Sequence, residues 1–292
     1  MIELRSSRRE EVPRLKEIWK LAFGDSDESV DLFFQTYYDP ERMLLLCEDG
    51  APMTMLAMLR MDFSNAEGVH SSMSYVYALA THPDARSKGY GRQLLNYADD
   101  WARERGCDCI CTKPAEAGLF RYFASVGFHE CFATRVAELL RQNVPALGER
   151  DELRPARPAE YNRLRCASLT GIPHLACADD LVTYQKELSV QERGDIYTLL
   201  VDGAAGCAAA EYVDRDTVLV KELIIDPREM PGAVALLAKE LPALRYEIRT
   251  PAPWTGLKGS YIQPFAMVKW YDKEKESALG GVTNCYMGLA FD

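Results

Sequence analysis

Hydrophobic and polar residues recur with two different periods in the first half of the chain. Apolar side chains spaced three and four positions apart predict amphipathic helices, and short apolar runs bounded by turn residues predict strands. The helices are expected at residues 10–23, 29–38, 91–105 and 118–126, and the strands at 2–5, 43–47, 53–63, 72–81, 107–112 and from Phe128 onward. Antiparallel strands thus precede a β-α-β unit, which predicts an α/β fold with a mixed, α+β type sheet.

The second half of the chain repeats this pattern once. Three short segments return in the same order at comparable spacing: Glu3-Leu4-Arg5 as Glu152-Leu153-Arg154, Asp49-Gly50-Ala51 as Asp202-Gly203-Ala204, and Leu79 with Pro83 as Leu223 with Pro227. The spacing is too long for a solenoid, whose repeats have about 20–50 residues. We therefore predict two tandem domains, residues 1–142 and 151–292, with a boundary near residues 143–152, where Pro, Gly and charged residues interrupt the periodicity.

A basic, glycine-containing loop stands where the helix of residues 91–105 begins. The N-terminus of a helix attracts anions, because its first N–H groups lack partners and the helix dipole is positive there. Gly89 and Gly91 let the backbone approach a phosphate, and Arg86, Lys88 and Arg92 add positive charge. The loop has neither a P-loop sequence nor the third glycine of a dinucleotide fingerprint. It predicts a pyrophosphate site, and the alternative is a helix start with solvated basic residues.

Composition narrows the classes of partner. Of the 292 residues 48% are hydrophobic and 27% charged, and the net charge is -10, which disfavours a general nucleic-acid binder. No apolar run resembles a signal sequence or approaches the ~18–20 residues of a membrane span, and nine cysteines scattered over a long chain do not suggest disulfides. Cys107, Cys109 and Cys111 would lie in line on one strand face, unlike a tetrahedral metal site. We expect a cytoplasmic protein without metal, nucleic-acid or membrane partners, and no particular oligomeric state is indicated.

Two segments of the first copy contain motifs at a characteristic separation. The first is Leu79-Ala80-Thr81-His82-Pro83 followed by Arg86-Ser87-Lys88-Gly89-Tyr90-Gly91, similar to a strand and the loop [RQ]-x-x-G-x-[GA]. The second is Leu119-Phe120-Arg121-Tyr122-Phe123-Ala124-Ser125-Val126-Gly127-Phe128, similar to a helix that ends before Gly-Phe. Together these segments resemble the GNAT superfamily of acyl-CoA N-acyltransferases, and the resemblance covers residues 1–140. With the repeat, the chain resembles the first two domains of the enhanced-intracellular-survival type of acetyltransferase.

The resemblance implies acetyl-CoA as co-substrate and transfer of its acetyl group to an amine. The pyrophosphate would be held by backbone amides of the loop, and the pantetheine arm would pair with the preceding strand. The implied cofactor-binding residues are Leu79, Ala80, Thr81, Arg86, Ser87, Lys88, Gly89, Tyr90, Gly91 and Arg92. A base must take a proton from the amine, since an amine of pKa ~10.4 is mostly charged at neutral pH. The candidates are Tyr75, Tyr77, His70 and Glu116, each of which has a structural alternative.

The expected general acid departs from the family's pattern. Many relatives have a Tyr four residues before the Gly of Gly-Phe, where this chain has Phe123, and the Tyr is its neighbour Tyr122. One residue is a rotation of ~100° on a helix, so Tyr122 should not point where a Tyr at 123 would. Three alternatives follow: Tyr122 acts through a shifted register, another group acts, or CoA leaves as a thiolate.

The second copy lacks the loop. Counted from Pro227 as from Pro83, Met230 replaces Arg86, Ala233 replaces Gly89 and Ala235 replaces Gly91. We expect this copy to bind no CoA and to shape the acceptor cleft, to brace the first domain, or to do both. The favoured function is an acetyl-CoA-dependent N-acetyltransferase acting on a small-molecule or peptidyl primary amine. The negative net charge of the chain mildly favours a polycationic acceptor. The alternatives are a CoA-binding sensor without turnover, which Phe123 favours, and transfer of another acyl or aminoacyl group.

Overall fold

The chain forms two compact units, each built from discontinuous segments. The computed structural model describes residues 1–148, 151–278 and 284–291. The first unit contains Met1–Asp62, Ser71–Glu130 and Ala266–Gly281. The second unit contains Phe63–His70, Cys131–Phe265 and Val282–Asp292.

The helices and strands follow each other in an order that repeats across the chain. The strands are β1 Ile2–Ser6, β2 Met43–Glu48, β3 Ala51–Ser64, β4 His70–Thr81, β5 Cys109–Thr112, β6 His129–Leu140, β7 Glu152–Pro155, β8 His174–Ala176, β9 Asp195–Val201, β10 Ala204–Tyr212, β11 Thr217–Ile224, β12 Arg245–Pro251 and β13 Tyr261–Trp270. The helices are α1 Val12–Phe23, α2 Asp27–Thr36, α3 Tyr90–Glu104, α4 Ala117–Ala124, α5 Pro158–Ser168, α6 Asp179–Gln191, α7 Met230–Glu240 and α8 Lys273–Ala278. None of the described helices has the length and apolar character needed to cross a membrane.

The helices of the first unit begin and end where their sequence indicates. Helix α1 has a proline in its first turn, which suits the fixed φ of that residue, and stops at Gly24 in the left-handed conformation (φ 76°). It buries Leu15, Ile18 and Trp19. Helix α3 is the most strongly amphipathic of this unit's longer helices and packs Leu94, among others, into the core, so its start is fixed by packing as well as by the preceding loop.

The sheet of the first unit has the order β1-β2-β3-β4-β5-β13. Strands β1 and β2, and β2 and β3, pair antiparallel, whereas β4 and β5 are parallel. The last strand comes from the far end of the chain: Met267 pairs with Thr112 and Trp270 with Cys109 in an antiparallel ladder. Strand β5 is buried along its whole length, so both of its edges need these partners.

The sheet of the second unit has the same plan, in the order β7-β9-β10-β11-β12-β6. Strands β11 and β12 are parallel, like β4 and β5. Strand β6 pairs antiparallel with β12, with Arg245 opposite Leu140, and so takes the place that β13 has in the first unit. The predicted mixed α/β fold with two tandem copies is confirmed by this repeated topology.

The units differ from the predicted domain boundaries at two strands. Residues 131–142 belong to the second unit, and Ala266–Gly281 belongs to the first. The last strand of the first copy, β6, therefore pairs within the second unit, and the last strand of the second copy, β13, pairs within the first unit. Within the predicted boundary segment, residues 149 and 150 lie outside the described residues.

Candidate active site

Strand β4 is distorted where it approaches the basic loop. It pairs with β5 over residues 73–75 and 109–111, and then continues to Thr81 beyond this pairing, while β5 ends at Thr112. Ala78 has a left-handed φ of 51°, which is unusual for a residue with a Cβ inside a strand and indicates a bulge. The strand segment that contains Leu79, Ala80 and Thr81 therefore leaves the neighbouring strand before it reaches the loop.

The loop itself exposes a row of backbone donors. A short 3₁₀ turn, Pro83–Ala85, is capped by His82, whose Nδ1 accepts from the N–H of Asp84 at 3.3 Å. Ser87 and Gly89 then have left-handed φ values of 66° and 77°, and α3 starts at Tyr90. In the described part of the chain, no acceptor is found for the N–H groups of residues 87–92. These amides, at the positive end of the α3 dipole, have the arrangement of an anion site.

The three basic side chains of the loop all contact protein groups. Lys88 Nζ lies 2.9 Å from Glu48 Oε2, and the Tyr90 hydroxyl donates to Glu48 Oε1 at 2.7 Å. Arg86 donates to the carbonyl oxygen of Leu21 at 3.4 Å. The bonds from Lys88 and Tyr90 lower the pKa of Glu48, so this carboxylate is ionised at neutral pH and offsets part of the loop's positive charge.

Arg92 points away from the loop and toward α4. Its guanidinium donates to the carbonyl oxygen of Ser125 at 3.2 Å and to Ser125 Oγ at 2.8 Å. Arg86, Ser87, Lys88, Gly89 and Arg92 remain exposed to solvent. Glu48 and Ser125 were not predicted as site residues, because both contact the loop side chains only through tertiary structure.

Tyr122 and Phe123 have different environments. Phe123 is buried in the core of the first unit and contacts Phe128 edge-on, with ring centroids 5.6 Å apart. Tyr122 is half-buried, and its hydroxyl lies 3.0 Å from the position that a Cβ on Gly91 would occupy. Thr81 Oγ1 lies 4.0 Å from the same point. The orientation of α4 thus brings Tyr122, rather than the neighbouring Phe, to the loop.

The environment of Tyr122 keeps its hydroxyl protonated. Burial raises the pKa of this phenol, and the charge of Arg92 lowers it by a smaller amount. A neutral phenol next to the backbone donors of residues 87–92 can donate a proton at neutral pH. Its position therefore suits an acid and does not suit a base.

The candidate bases are not gathered into one group by the structure. Tyr75 is buried and Tyr77 half-buried, and their rings lie 5.7 Å apart beside Trp19. Glu116 is exposed at the start of α4, and His70 belongs to the second unit. Cys109 and Cys111 are buried in β5, with Cys107 just before it, and no three His, Cys, Asp or Glu side chains of the described residues group as metal ligands.

The corresponding helix start in the second unit is covered by its own chain. Helix α7 follows a similar 3₁₀ turn, Pro227–Glu229, and Met230, Ala233 and Ala235 are all buried. Gly256 lies against this turn so closely that a Cβ would come within 1.9 Å of the Pro227 carbonyl oxygen and 2.8 Å of Met230 sulfur. Two loop glycines are replaced and the helix start is covered, so the anion-site arrangement of α3 is not repeated there.

Comparison with known proteins gives a family for the first part of the chain. Residues 3–128 match the acetyltransferase (GNAT) domain family. Comparison with curated protein sequences gave no match.

Solved structures with similar folds cover nearly the whole chain. A GCN5-related N-acetyltransferase from Anabaena variabilis has a TM-score of 0.74 at 13% identity, over 94% of this chain and 74% of that one. Eis1 from Mycobacterium abscessus has a TM-score of 0.68 at 13% identity, over 94% and 75%. A tandem GNAT protein from the clavulanic acid biosynthesis pathway has a TM-score of 0.53 at 14% identity, over 92% and 98%. Residues 3–128 thus match the acetyltransferase (GNAT) domain family, and the chain as a whole resembles Eis-type tandem proteins in its fold.

Proposed function

We propose that this protein is an acetyl-CoA-dependent N-acetyltransferase that acts on the primary amine of a small-molecule or peptidyl acceptor. The observation that carries the proposal is the row of backbone N–H groups at residues 87–92, at the start of α3, with the Tyr122 hydroxyl beside Gly91. Amides that lack acceptors at a helix N-terminus suit a pyrophosphate, and a protonated phenol suits the protonation of a leaving thiolate.

The residues present fit an acyl-CoA. Gly89 has nothing within 4 Å of a Cβ position, so its role is the left-handed φ that turns the amides outward. Gly91 is different, because a side chain there would press on Tyr122. Thr81, Ala80 and Leu79 form the end of β4 beyond its pairing with β5, where an extended arm could add to the strand.

Acetyl-CoA would supply an activated thioester. In the transfer, the amine nitrogen forms a bond to the acetyl carbon, the carbon–sulfur bond breaks, and the amine loses one proton while the sulfur gains one. We assign the proton that reaches the sulfur to the Tyr122 hydroxyl, which regains a proton from solvent while the amine releases its own to solvent. We assign the loop amides of residues 87–92 to the pyrophosphate. The covered start of α7 supports our further assignment that the second unit binds no CoA.

The test is calorimetric titration with acetyl-CoA and CoA. We expect micromolar binding by the wild-type protein and its loss in a Gly89→Glu, Gly91→Glu double variant, because two carboxylates would repel the pyrophosphate. The matched control is Gly106→Glu, which places a carboxylate at another exposed left-handed glycine (φ 72°), just beyond the opposite end of α3. Absence of binding by the wild type, or equal loss in the control, would remove the basis of the proposal.

Turnover separates the enzyme from a CoA-binding sensor. Thiol release from acetyl-CoA with a library of amines should be detected for the wild type and should fall about 10²-fold or more in Tyr122→Phe, as expected when a general acid is lost. The raised pKa of Tyr122 places any loss of activity from its ionisation above pH 10. Binding without turnover for every amine would favour the sensor.

A further inference from the structure

Arg92 joins the first turn of α3 to the last turn of α4. Its two donors reach the carbonyl oxygen and the hydroxyl of Ser125, at 3.2 and 2.8 Å. Ser125 caps the C-terminus of α4, and its hydroxyl donates to the carbonyl oxygen of Tyr122 at 2.7 Å. A chain of two hydrogen bonds through Ser125 Oγ therefore runs from Arg92 to the backbone of Tyr122, the residue whose phenol lies at the loop, and a third bond ties Arg92 to the carbonyl oxygen of Ser125.

The two helix turns also approach each other on the other side of the same residue. Gly91, directly before Arg92, lies close to the hydroxyl of Tyr122, at 3.0 Å from its Cβ position. The hydrogen bonds from Arg92 to Ser125 thus fix the distance between α3 and α4. The close approach of Gly91 to the Tyr122 hydroxyl limits how near the two helices can come. If the last turn of α4 moved relative to the first turn of α3, the Tyr122 hydroxyl would move relative to the amides of residues 87–92.

We propose that Arg92 is a positioning residue, whose guanidinium holds the end of α4 so that the Tyr122 hydroxyl stays at the α3 N-terminus. This inference rests on the proposed function, because the hydroxyl needs a fixed position only if it serves a reaction. It assigns the side chain of Arg92 to α4 instead of the pyrophosphate, while the backbone N–H of Arg92 remains in the anion site. The opposing effects of burial and of Arg92 on the pKa of Tyr122 agree with this proximity.

The first experiment needs no ligand or substrate. Hydrogen–deuterium exchange of residues 117–128 should be about tenfold faster in Arg92→Gln than in the wild type, because two hydrogen bonds from a charged donor are lost. Arg92→Lys, which keeps the charge but has one donor atom, should give an intermediate rate. The matched control is Arg121→Gln, which removes the same charge from the exposed surface of α4 and should not match the effect of Arg92→Gln. Equal exchange in Arg92→Gln and Arg121→Gln would overturn the proposal.

The second experiment separates positioning from phosphate binding. In Arg92→Gln we expect the Kd for CoA to stay within about threefold of the wild type and kcat for thiol release to fall about tenfold or more. Ser125→Ala should lower kcat in the same direction without changing the Kd, and Ser125→Thr, which keeps the hydroxyl, should recover part of it. A tenfold loss of CoA affinity in Arg92→Gln with unchanged exchange of α4 would identify Arg92 as a phosphate ligand and overturn the inference. If the wild type bound no acetyl-CoA, the proposed function would fail, and the exchange comparison would still decide whether Arg92 holds α4.

Discussion

At the scale of single residues, Glu48 lowers the positive electrostatic potential of the loop. The sequence offers three cations near α3, but Lys88 is bonded to Glu48, which also accepts from Tyr90. Exposed ion pairs are weak because solvent screens them, so Glu48 restrains Lys88 without fixing it. Because its pKa is lowered by Lys88 first and by Tyr90 second, the restraint is complete above the ordinary value of 4.5 and is lost as the pH falls through the lower folded value.

Replacing Glu48 by Gln should therefore strengthen CoA binding. Lys88 would be released to the anion, and removal of one negative charge would add to the local potential, so we expect a two- to fivefold lower Kd, with a steeper dependence on salt. The measurement is calorimetric titration at pH 7.5 and two salt concentrations. As the pH falls through the lowered pKa of Glu48, which is below 4.5, the difference between Glu48→Gln and the wild type should shrink, because the wild-type carboxyl becomes neutral as well.

The control for this substitution is the next residue. Asp49→Asn makes the same change of charge at an exposed position that lies in the β2–β3 turn and does not contact Lys88. Asn also tolerates the left-handed φ of 51° at this site. If Asp49→Asn and Glu48→Gln raised the affinity equally, the effect would come from net charge, and Glu48 would have no specific role at the loop.

At the scale of elements, local patterns were sufficient for most of the first unit. Apolar periodicity predicted α1, α2, α3 and α4 to within two residues at every end, and Asp49-Gly50 correctly marked the turn between β2 and β3. The loop before α3 was also predicted, because glycines, charge and a helix start lie together in sequence. The contacts of Glu48 with Lys88 and of Arg92 with Ser125 were not predicted, since they depend on how elements pack and have no local signal.

The pairing of β5 with β13 could not be predicted from local sequence patterns for the same reason. Thr112 pairs with Met267, more than 150 positions later, and nothing in either strand specifies the other. The side chain of Lys269 in β13 adds two hydrogen bonds to this pairing. Its Nζ donates to Asp99 of α3 and to the carbonyl oxygen of Val126, the latter at 2.8 Å. Asp99 also accepts from the hydroxyl of Tyr271 at 2.7 Å.

Lys269→Met should weaken the first unit. The substitution keeps an unbranched side chain one atom shorter but removes the charged donor, so that among the hydrogen bonds of the described residues the buried Asp99 retains the one from Tyr271. We expect the free energy of unfolding to fall by about 2 kcal/mol, the usual magnitude for hydrogen bonds to a charged group. Urea denaturation followed by circular dichroism measures the change. Adding Asp99→Asn should recover part of it, because the uncompensated carboxylate is then removed.

An exposed lysine provides the comparison for Lys269. Lys239 lies near the end of α7 in the second unit, and Lys239→Met should change the free energy of unfolding by no more than about 0.5 kcal/mol. A loss of this small size in Lys269→Met would show that β13 is held in the first unit by its backbone ladder and apolar side chains alone.

At the scale of the whole molecule, the duplication visible in sequence is a duplication of sheets and not of continuous chain segments. Among the described residues, each unit has six strands in matching order, with a parallel pair before the last strand. In each sheet that last strand comes from a different half of the chain than the other five: β13 in the first unit and β6 in the second. Sequence repeats located the two copies, but a cut between them at residues 143–152 would separate each sheet from its final strand.

The exchange of strands β6 and β13 between the two units predicts how fragments of the chain behave. Residues 1–142 alone would leave β5 without its antiparallel partner, so that a fully buried strand would have unsatisfied N–H and C=O groups on one edge and Asp99 would lack Lys269. We expect this fragment to show no cooperative thermal transition by circular dichroism and to bind a hydrophobic dye. Residues 1–130 joined to residues 266–278 by a flexible Gly/Ser linker of about 15 residues, with an r.m.s. span of ~20 Å, should recover a cooperative transition because the sixth strand is restored. Equal cooperativity in the two chains would mean that the first five strands form a stable sheet alone, and that β13 adds to the first unit without being required for its fold.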